Sequence, residues 1–245
     1  PGQKRLNRAK VLIIGAGGLG SPNILYLAAA GVGTIGIVDD DVVELSNLQR
    51  QISHNSEEIG NPKVESAKKC ALRINPDIQI NVHNERLDSL NSGQLISKYD
   101  IVADGSDNFD TRLVVNDSCY AYEKPLVSAA INRFDGQIST FKAFQRKEGS
   151  SLHPCYRCFV PHSPPQENTI SCAETGVLGA LCGVVGSIQA TEVIKEIVGF
   201  GKSLSGSLFI VDGLCNEFRK ISLPPDPNCP LCGLNPTITK INQRK

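Results

Sequence analysis

The sequence has no excess of charge. Lys and Arg number 25, Asp and Glu also number 25, and the formal net charge is zero. Strong electrostatic steering toward nucleic acid or an anionic membrane is thereby excluded as its main business. Also missing is any run approaching the ~20 apolar residues of a membrane span. The opening PGQKRLNRAK is polar and basic, with no apolar signal segment behind it. Met and Trp are absent, aromatic residues amount to 5%, and there is no internal repeat, low-complexity tract or charged tail. These absences predict a cytoplasmic globular protein with neither nucleic-acid nor membrane partners. What is present agrees: 40% hydrophobic and 20% charged residues suffice to bury a core. At 245 residues, surface-to-volume scaling does not force a split into separate domains.

Apolar runs alternating with helical patterns predict β-α-β units and a parallel sheet in the first half. Strands are expected at 11–14, 34–38, 78–82, 101–103 and 126–131, and helices at 21–30, 63–74 and 111–122. Beyond Gly136 the strands at 137–144, 208–211 and 216–223 have no helix between neighbours, which calls for antiparallel pairing. The predicted class is therefore α/β, a Rossmann-like and mostly parallel sheet extended by antiparallel strands. One domain is expected over 1–245, with a nucleotide-binding half at 1–135 and the remainder at 136–245. A polar, Pro- and Ser-rich loop at 162–175 is long enough to suspect function. After it, 177–198 reads as one largely apolar helix carrying Gly179, Ala180, Gly183 and Gly186, buried in the core or at a subunit contact.

Gly15-Ala16-Gly17-Gly18-Leu19-Gly20 fits G-x-G-x-x-G between a predicted strand and a predicted helix, and Asp39 closes the following strand. Glycines let the backbone turn tightly and approach phosphates, whose charge meets free N–H groups and the helix dipole. Asp39 is placed to accept from ribose hydroxyls, which suits NAD or ATP alike. The next segment, Asp40 to Gln51, runs from acidic residues through Asn47 to Arg50, and Lys63 follows. That mixture suits a triphosphate with a metal better than a nicotinamide cofactor. A third polar cluster, Asp104 to Arg112, lies beyond the carboxyl end of a strand, where open α/β sheets bind ligands. Asp107 there offers one hard oxygen ligand to Mg²⁺.

Nine cysteines include two C-x-x-C pairs, Cys155/Cys158 and Cys229/Cys232. Four thiolates in two knuckles are the usual supply for a closed structural Zn²⁺ site, with two redox pairs as the alternative. Cys172 precedes the long apolar helix, whose N-terminus could lower its pKa and leave a nucleophilic thiolate, against the plainer reading of a spare surface thiol. Cys70, Cys119, Cys182 and Cys215 read as small core residues. His54, His83, His153 and His162 are scattered and receive no role.

The stretches GAGGLG, DDDVVELSNLQRQ and DGSDNFDTR, together with CYRC, CAETGVLG and CPLCG, resemble in order and spacing the MoeB/ThiF-type adenylating enzymes, relatives of the ubiquitin-activating enzymes. The resemblance runs from about Val11 to Gly233. It implies adenylation of the C-terminal glycine of a small ubiquitin-like, β-grasp sulfur-carrier protein ending in Gly-Gly, with ATP consumed and pyrophosphate released. Carried over by motif position, Gly15, Gly17, Gly18 and Gly20 would form the nucleotide loop and Asp39 would bind ribose. Asn47, Arg50, Gln51 and Lys63 would contact the phosphates, while Asp107 would bind Mg²⁺ with Asn108 beside it. Arg50, Lys63 and Asp107 would carry the chemistry, and Cys172 corresponds to a cysteine that can form a thioester or acyl-persulfide in some members. The resemblance also implies a two-fold homodimer and a separate sulfur-donor protein, in molybdopterin, thiamine or thiolated-tRNA biosynthesis. Members usually carry an upstream Arg-Gln segment whose Arg enters the partner subunit's site, and neither Arg5 nor Arg8 matches it. Two other readings share part of the pattern. An NAD-dependent oxidoreductase would explain the glycine loop but not Arg50, Lys63 and Asp107, and a non-catalytic binder of a ubiquitin-like protein would need no activation chemistry.

Overall fold

The computed structural model describes residues 1–147, 149–163 and 176–239. Eight strands form one sheet in the order β10-β9-β6-β5-β4-β1-β2-β3. Five are parallel: β1 (Lys10–Ile14), β2 (Thr34–Val38), β3 (Gln79–His83), β4 (Ile101–Asp104) and β5 (Leu126–Asn132). Antiparallel strands β6 (Asp135–Phe141), β9 (Ser207–Asp212) and β10 (Glu217–Ser222) extend it at the β5 edge. The hairpins β5–β6 and β9–β10 reverse because no crossover joins their strands, whereas β6 and β9 pair antiparallel although the helix Gly179–Val198 lies between them in the chain, so the expected lack of a helix between neighbours does not hold for that pair. Strand β6 begins at Asp135, ahead of the expected 137, because Arg133 at φ 41° turns the chain into a tight hairpin.

Helices cover both faces, as buried parallel strands require. Alternate residues of β1 go to opposite sides: Val11 and Ile13 enter a core shared with α2 (Gly20–Ala29), α3 (Lys63–Ile74) and α7 (Gly179–Val198), whereas Leu12 and Ile14 pack with α4 (Ser92–Ile96) and α5 (Phe109–Ala121). Helix α2 stops where its sequence says it should, at Gly31 with φ +77°, and Val32 N–H closes back on the Leu27 carbonyl. Helix α5 starts at Asn108, whose side chain accepts from Thr111 N–H at 2.9 Å.

Several short elements carry little periodic signal and emerge only in the fold. These are α1 (Gly2–Arg8), α4, the hairpin β7 (Arg146–Lys147) with β8 (Ser150–Ser151), and α6 (Tyr156–Phe159). The apolar character of α7 also finds a different cause from a subunit contact alone. Leu181, Val185, Ala190 and Val193 are buried within this chain, and a side chain at Gly186 would strike Pro22 and the Leu19 carbonyl of α2. Small residues on α7 therefore serve helix–helix approach inside the molecule. Cys119 and Cys182 are buried as expected, but Cys70 is half-buried and Cys215 is exposed in the β9–β10 turn, where alternation no longer governs burial. No helix among the described residues is long and apolar enough to cross a membrane.

Candidate active site

Strands β1, β2 and β4 end on the same edge of the sheet, and their following loops meet there. Gly15 has φ +91°, a conformation that disfavours any side chain, and a Cβ at Gly20 would collide with the Gly15 carbonyl. The turn from β1 into α2 is therefore tight enough to present backbone N–H groups. A Cβ built at Gly17 would lie 3.6 Å from Gln51 Nε2, and one at Gly18 would lie 3.6 Å from Arg50 Cγ and 2.8 Å from Cys182 Sγ. One built at Gly15 would lie 3.7 Å from Ser106 N. These contacts bring together the glycine loop, the turn carrying Asn47 to Gln51, and the loop between β4 and α5. Gln51 Oε1 and Ser106 Oγ are both buried there without a hydrogen-bond partner among the described residues. Orphaned polar atoms beside a side-chain-free cradle fit a polar ligand.

Asp39 does more than sit at a strand end. Its Oδ2 accepts from Ala16 N–H at 2.7 Å and its Oδ1 from Asp41 N–H at 2.9 Å, so it holds the glycine loop. Burial raises its pKa above the usual carboxylate value, opposed by the charge of Lys63 and by those two amides. Lys63, itself buried, meets Asp41 Oδ2 at 2.7 Å. Asn47 is buried and its Oδ1 accepts from Glu44 N–H at 3.1 Å, which shapes the turn before Arg50. Arg50 Nη1 donates to the Ser46 carbonyl at 3.1 Å. Asp107 is exposed, with Asn108 Nδ2 at 3.2 Å from its Oδ1. Among the described residues Asp39, Asp40 and Asp41 lie close enough to share an ion. Asp107 offers a carboxylate of its own, and one suffices for magnesium when phosphates and water complete its shell.

Sequence reading missed His54. Its ring is buried, with Nδ1 at 2.9 Å from Ser66 Oγ and Nε2 at 2.9 Å from the Ala16 carbonyl. A carbonyl only accepts, so Nε2 carries the proton and donates it. Ala16 is thus clamped at its N–H by Asp39 and at its carbonyl by His54. Burial lowers the His54 pKa, which keeps the ring neutral. In the sequence Asp104 and Arg112 are only members of a polar cluster. Asp104 is fully buried and accepts from Ser106 N–H at 3.0 Å and Ser128 Oγ–H at 3.1 Å. Arg112 donates to the Ser106 carbonyl and, at 2.8 Å, to the Ala129 carbonyl. Their eight-residue separation across a helix N-terminus was the available signal.

On the same side of the sheet a crevice of about 10 Å³, the room of one water molecule, is lined among others by Arg112, Ser128, Ser139 and Tyr156, all of them buried.

The four knuckle cysteines converge from positions 74 residues apart. Cys155–Cys158, Cys155–Cys229 and Cys158–Cys232 sulfur separations are 4.0, 3.5 and 3.4 Å. A ZnS₄ tetrahedron with ~2.3 Å bonds has edges of about 3.8 Å, which those distances bracket. Asp226 N–H approaches Cys158 Sγ at 3.3 Å, a contact that suits a thiolate. The donor set fits zinc. Cys172 and most of the 162–175 loop lie outside the described residues.

A model of the ThiF family matches residues 1–231. A sulfur carrier protein adenylyltransferase of Thermus thermophilus is 46% identical over 240 residues, spanning 96% of this chain and 86% of that protein. A probable adenylyltransferase/sulfurtransferase MoeZ of Mycobacterium tuberculosis is 48% identical over 229 residues, spanning 94% of this chain and 58% of that one. The adenylyltransferase and sulfurtransferase MOCS3 of Culex quinquefasciatus is 44% identical over 241 residues, spanning 98% and 53%. The chain therefore covers only somewhat more than half of the latter two. Among solved structures, Escherichia coli MccB with MccA-N7isoASN superposes with a TM-score of 0.80 at 21% identity, over 95% of this chain and 69% of that one. PaaA gives 0.74 at 22% identity, over 91% and 66%. At such identities the structural likeness speaks for the fold, and the identity to the sequence relatives speaks for descent. With the family model matching from Pro1 to Leu231, this chain belongs to the ThiF family.

Proposed function

We propose that this chain is an ATP-dependent adenylyltransferase that activates the C-terminal glycine of a small ubiquitin-like sulfur-carrier protein, working as a single adenylation domain. The observation that carries the reading is the meeting of the glycine loop, the Asn47–Gln51 turn and the Asp107 loop on one sheet edge, with the buried Gln51 Oε1 and Ser106 Oγ unpartnered among the described residues there. Gly15, Gly17, Gly18 and Gly20 form the nucleotide cradle, and Asp39 keeps lone pairs for ribose hydroxyls while holding Ala16. Asn47, Arg50, Gln51 and Lys63 bind the phosphates, with Lys63 exchanging its Asp41 partner for phosphate oxygen. Asp107, with Asn108 beside it, would hold Mg²⁺, which supplies charge neutralisation on the phosphates when bound.

The carrier's C-terminal carboxylate oxygen attacks the α-phosphorus, the bond to the pyrophosphate oxygen breaks, and an acyl-adenylate forms. The nucleophile is already ionised, so the step needs positioning and charge stabilisation more than a protein base. Cys155, Cys158, Cys229 and Cys232 would hold Zn²⁺ as a closed cross-link. Sulfur then arrives from a separate donor protein, in molybdopterin, thiamine or thiolated-tRNA biosynthesis, with Cys172 a candidate for a covalent thioester or persulfide. The active form is a homodimer. The β5–β6 turn, the start of α7 and the β9–β10 turn are joined by Leu178 N–H to the Arg133 carbonyl and Gly213 N–H to the Phe134 carbonyl, leaving Phe134, Leu178 and Leu214 exposed at one end of the sheet.

Exchange of labelled pyrophosphate into ATP tests the reading. With Mg²⁺ and a recombinant ubiquitin-like sulfur carrier ending in Gly-Gly, exchange is expected, and Asp107→Ala should reduce it by at least about 10²-fold while leaving the fold intact. Exchange unaltered by that substitution at saturating Mg²⁺ would remove Asp107 from the site, and carrier-independent exchange would remove the proposed substrate.

A further inference from the structure

Ser106 belongs to no motif with a role for it, yet the fold singles it out. Its N–H donates to Asp104 Oδ1 at 3.0 Å, and its carbonyl accepts from Arg112 Nη2. Both partners are buried and held from behind: Asp104 Oδ2 accepts from Ser128 Oγ–H at 3.1 Å, and Arg112 Nη1 donates to the Ala129 carbonyl at 2.8 Å. The backbone at position 106 is therefore fixed on both sides, to β4, β5 and α5. That leaves one polar group. Ser106 is only 9% exposed, and its hydroxyl has no hydrogen-bond partner among the described residues.

Glycines keep the space beside it clear. A Cβ at Gly15 would lie 3.3 Å from the Gly105 carbonyl oxygen and 3.7 Å from Ser106 N. One at Gly105 would lie 3.1 Å from Leu19 Cβ and 3.6 Å from the nitrogen of Gly20, the first residue of α2. Residues 105 and 106 thus lie against the turn that opens α2, where a helix N-terminus favours negative charge. Asp107 follows directly in the chain.

A buried hydroxyl without a partner costs stability, so packing within the chain does not account for serine here. A phosphate oxygen is a strong acceptor and asks for the donor that this hydroxyl offers. We propose that Ser106 is a nucleotide-binding residue whose Oγ–H donates to a phosphate oxygen of bound ATP. The proposal rests on the reading of this sheet edge as the nucleotide site. In it, Asp104 and Arg112 take up the backbone N–H and carbonyl of residue 106, so that its side chain alone is left to meet the ligand, next to the carboxylate of Asp107.

Ser106→Ala in the full chain removes the hydroxyl and nothing else. Calorimetric titration with ATP and Mg²⁺ should show binding weakened by about tenfold or more, the scale of one hydrogen bond to a charged group. The dissociation constant of adenosine, which has no phosphate, should not change. Without nucleotide the variant should melt at or above the Tm of the parent, because an unpaired buried group has gone. Ser128→Ala, which loosens Asp104 from behind, should keep the parent's affinity for ATP. Unchanged ATP binding by Ser106→Ala would mean that only water meets the hydroxyl, and the proposal would fall while the nucleotide site stands. Equal weakening toward ATP and adenosine would put the hydroxyl on the nucleoside and overturn the phosphate contact. A loss of ATP affinity in Ser128→Ala as large as in Ser106→Ala would trace both to the shape of the loop and overturn the direct contact. Failure of the parent itself to bind ATP would remove the nucleotide site, and Ser106 with it.

Discussion

At the scale of single residues, His54 gives the most direct link between packing and the glycine loop. It is neutral in the folded chain because burial lowers its pKa, reinforced by Lys63 and opposed by the Ala16 carbonyl and by Glu58. An unfolded histidine takes up its proton near the ordinary value of 6.5. Above that pH both states are neutral and the group adds no pH dependence. As the pH falls below 6.5 toward the lower folded value, the unfolded state gains a proton that the folded state refuses, and stability declines. His54→Gln retains an N–H donor for Ala16, so in urea unfolding at pH 7.5 and 5.5 it should lose less stability on acidification than the parent. His83 and His153 contribute to both proteins and cancel in the comparison. Identical losses would place the ring outside the linkage. His54→Ala, which leaves the Ala16 carbonyl unpaired, should cost about 1–3 kcal/mol at pH 7.5. None of this was legible beforehand, because a lone histidine has no spacing to betray its partners. Gly15 to Gly20 and Asp39 were legible, since tight turns and phosphate approach restrict residue type so strongly.

Among the elements, the two cysteine knuckles show how far spacing carries an argument. Each C-x-x-C pair announces a chelating turn on its own. That the pairs meet depends on the antiparallel strands between them, and the hydrogen bond from Ser151 Oγ to the Cys232 carbonyl at 3.0 Å helps to close the arrangement. Cys229 and Leu231 are almost fully buried, so the site replaces a conventional core at this end of the molecule. Metal bound only by the folded state stabilises it. Elemental analysis should therefore find about one zinc per chain, and Cys229→Ser should release it. A loss of about 3 kcal/mol would lower Tm by about 6–12 °C in a domain of this size. Nucleotide affinity should stay within a factor of about two, because well-separated sites behave almost additively. Metal-free protein with unchanged Tm would show that the knuckles do not depend on a metal. Short elements such as α4 and α6 escaped the sequence because a single turn offers too few periods for a pattern, and their ends are fixed by contacts from elsewhere.

For the whole molecule, the fold accounts for most of the apolar surface that α7 brings, which removes the simplest argument for a subunit contact along that helix. Among the exposed apolar residues, which include Val184 on α7 itself, Phe134, Leu178 and Leu214 gather at one end of the sheet. If these residues seed the proposed homodimer, the interface should bury at least about 2,000 Å² in total, the scale of obligate pairs. Sedimentation at micromolar concentration should then report a dimer, and Phe134→Asp should shift it to monomer with the fold retained. A monomeric parent would rule out the dimer, and a dimeric Phe134→Asp variant would place its interface elsewhere.

By itself the sequence determined the parallel half of the sheet, the glycine loop with Asp39, the change to antiparallel pairing and the four zinc-type thiols. In each case the chemistry is local: hydrophobic period, turn geometry and ligand spacing act over a few residues and leave a mark in the chain. Tertiary structure decided what lies between those marks. It gave Asp39 a second task on Ala16, placed His54 behind the loop, turned the small residues of α7 inward onto α2, and joined Arg157 to Asp117 across 40 positions. These are long-range pairings of buried polar groups and close-packed surfaces. Whether they form depends on which faces of distant elements meet, and no local period records that.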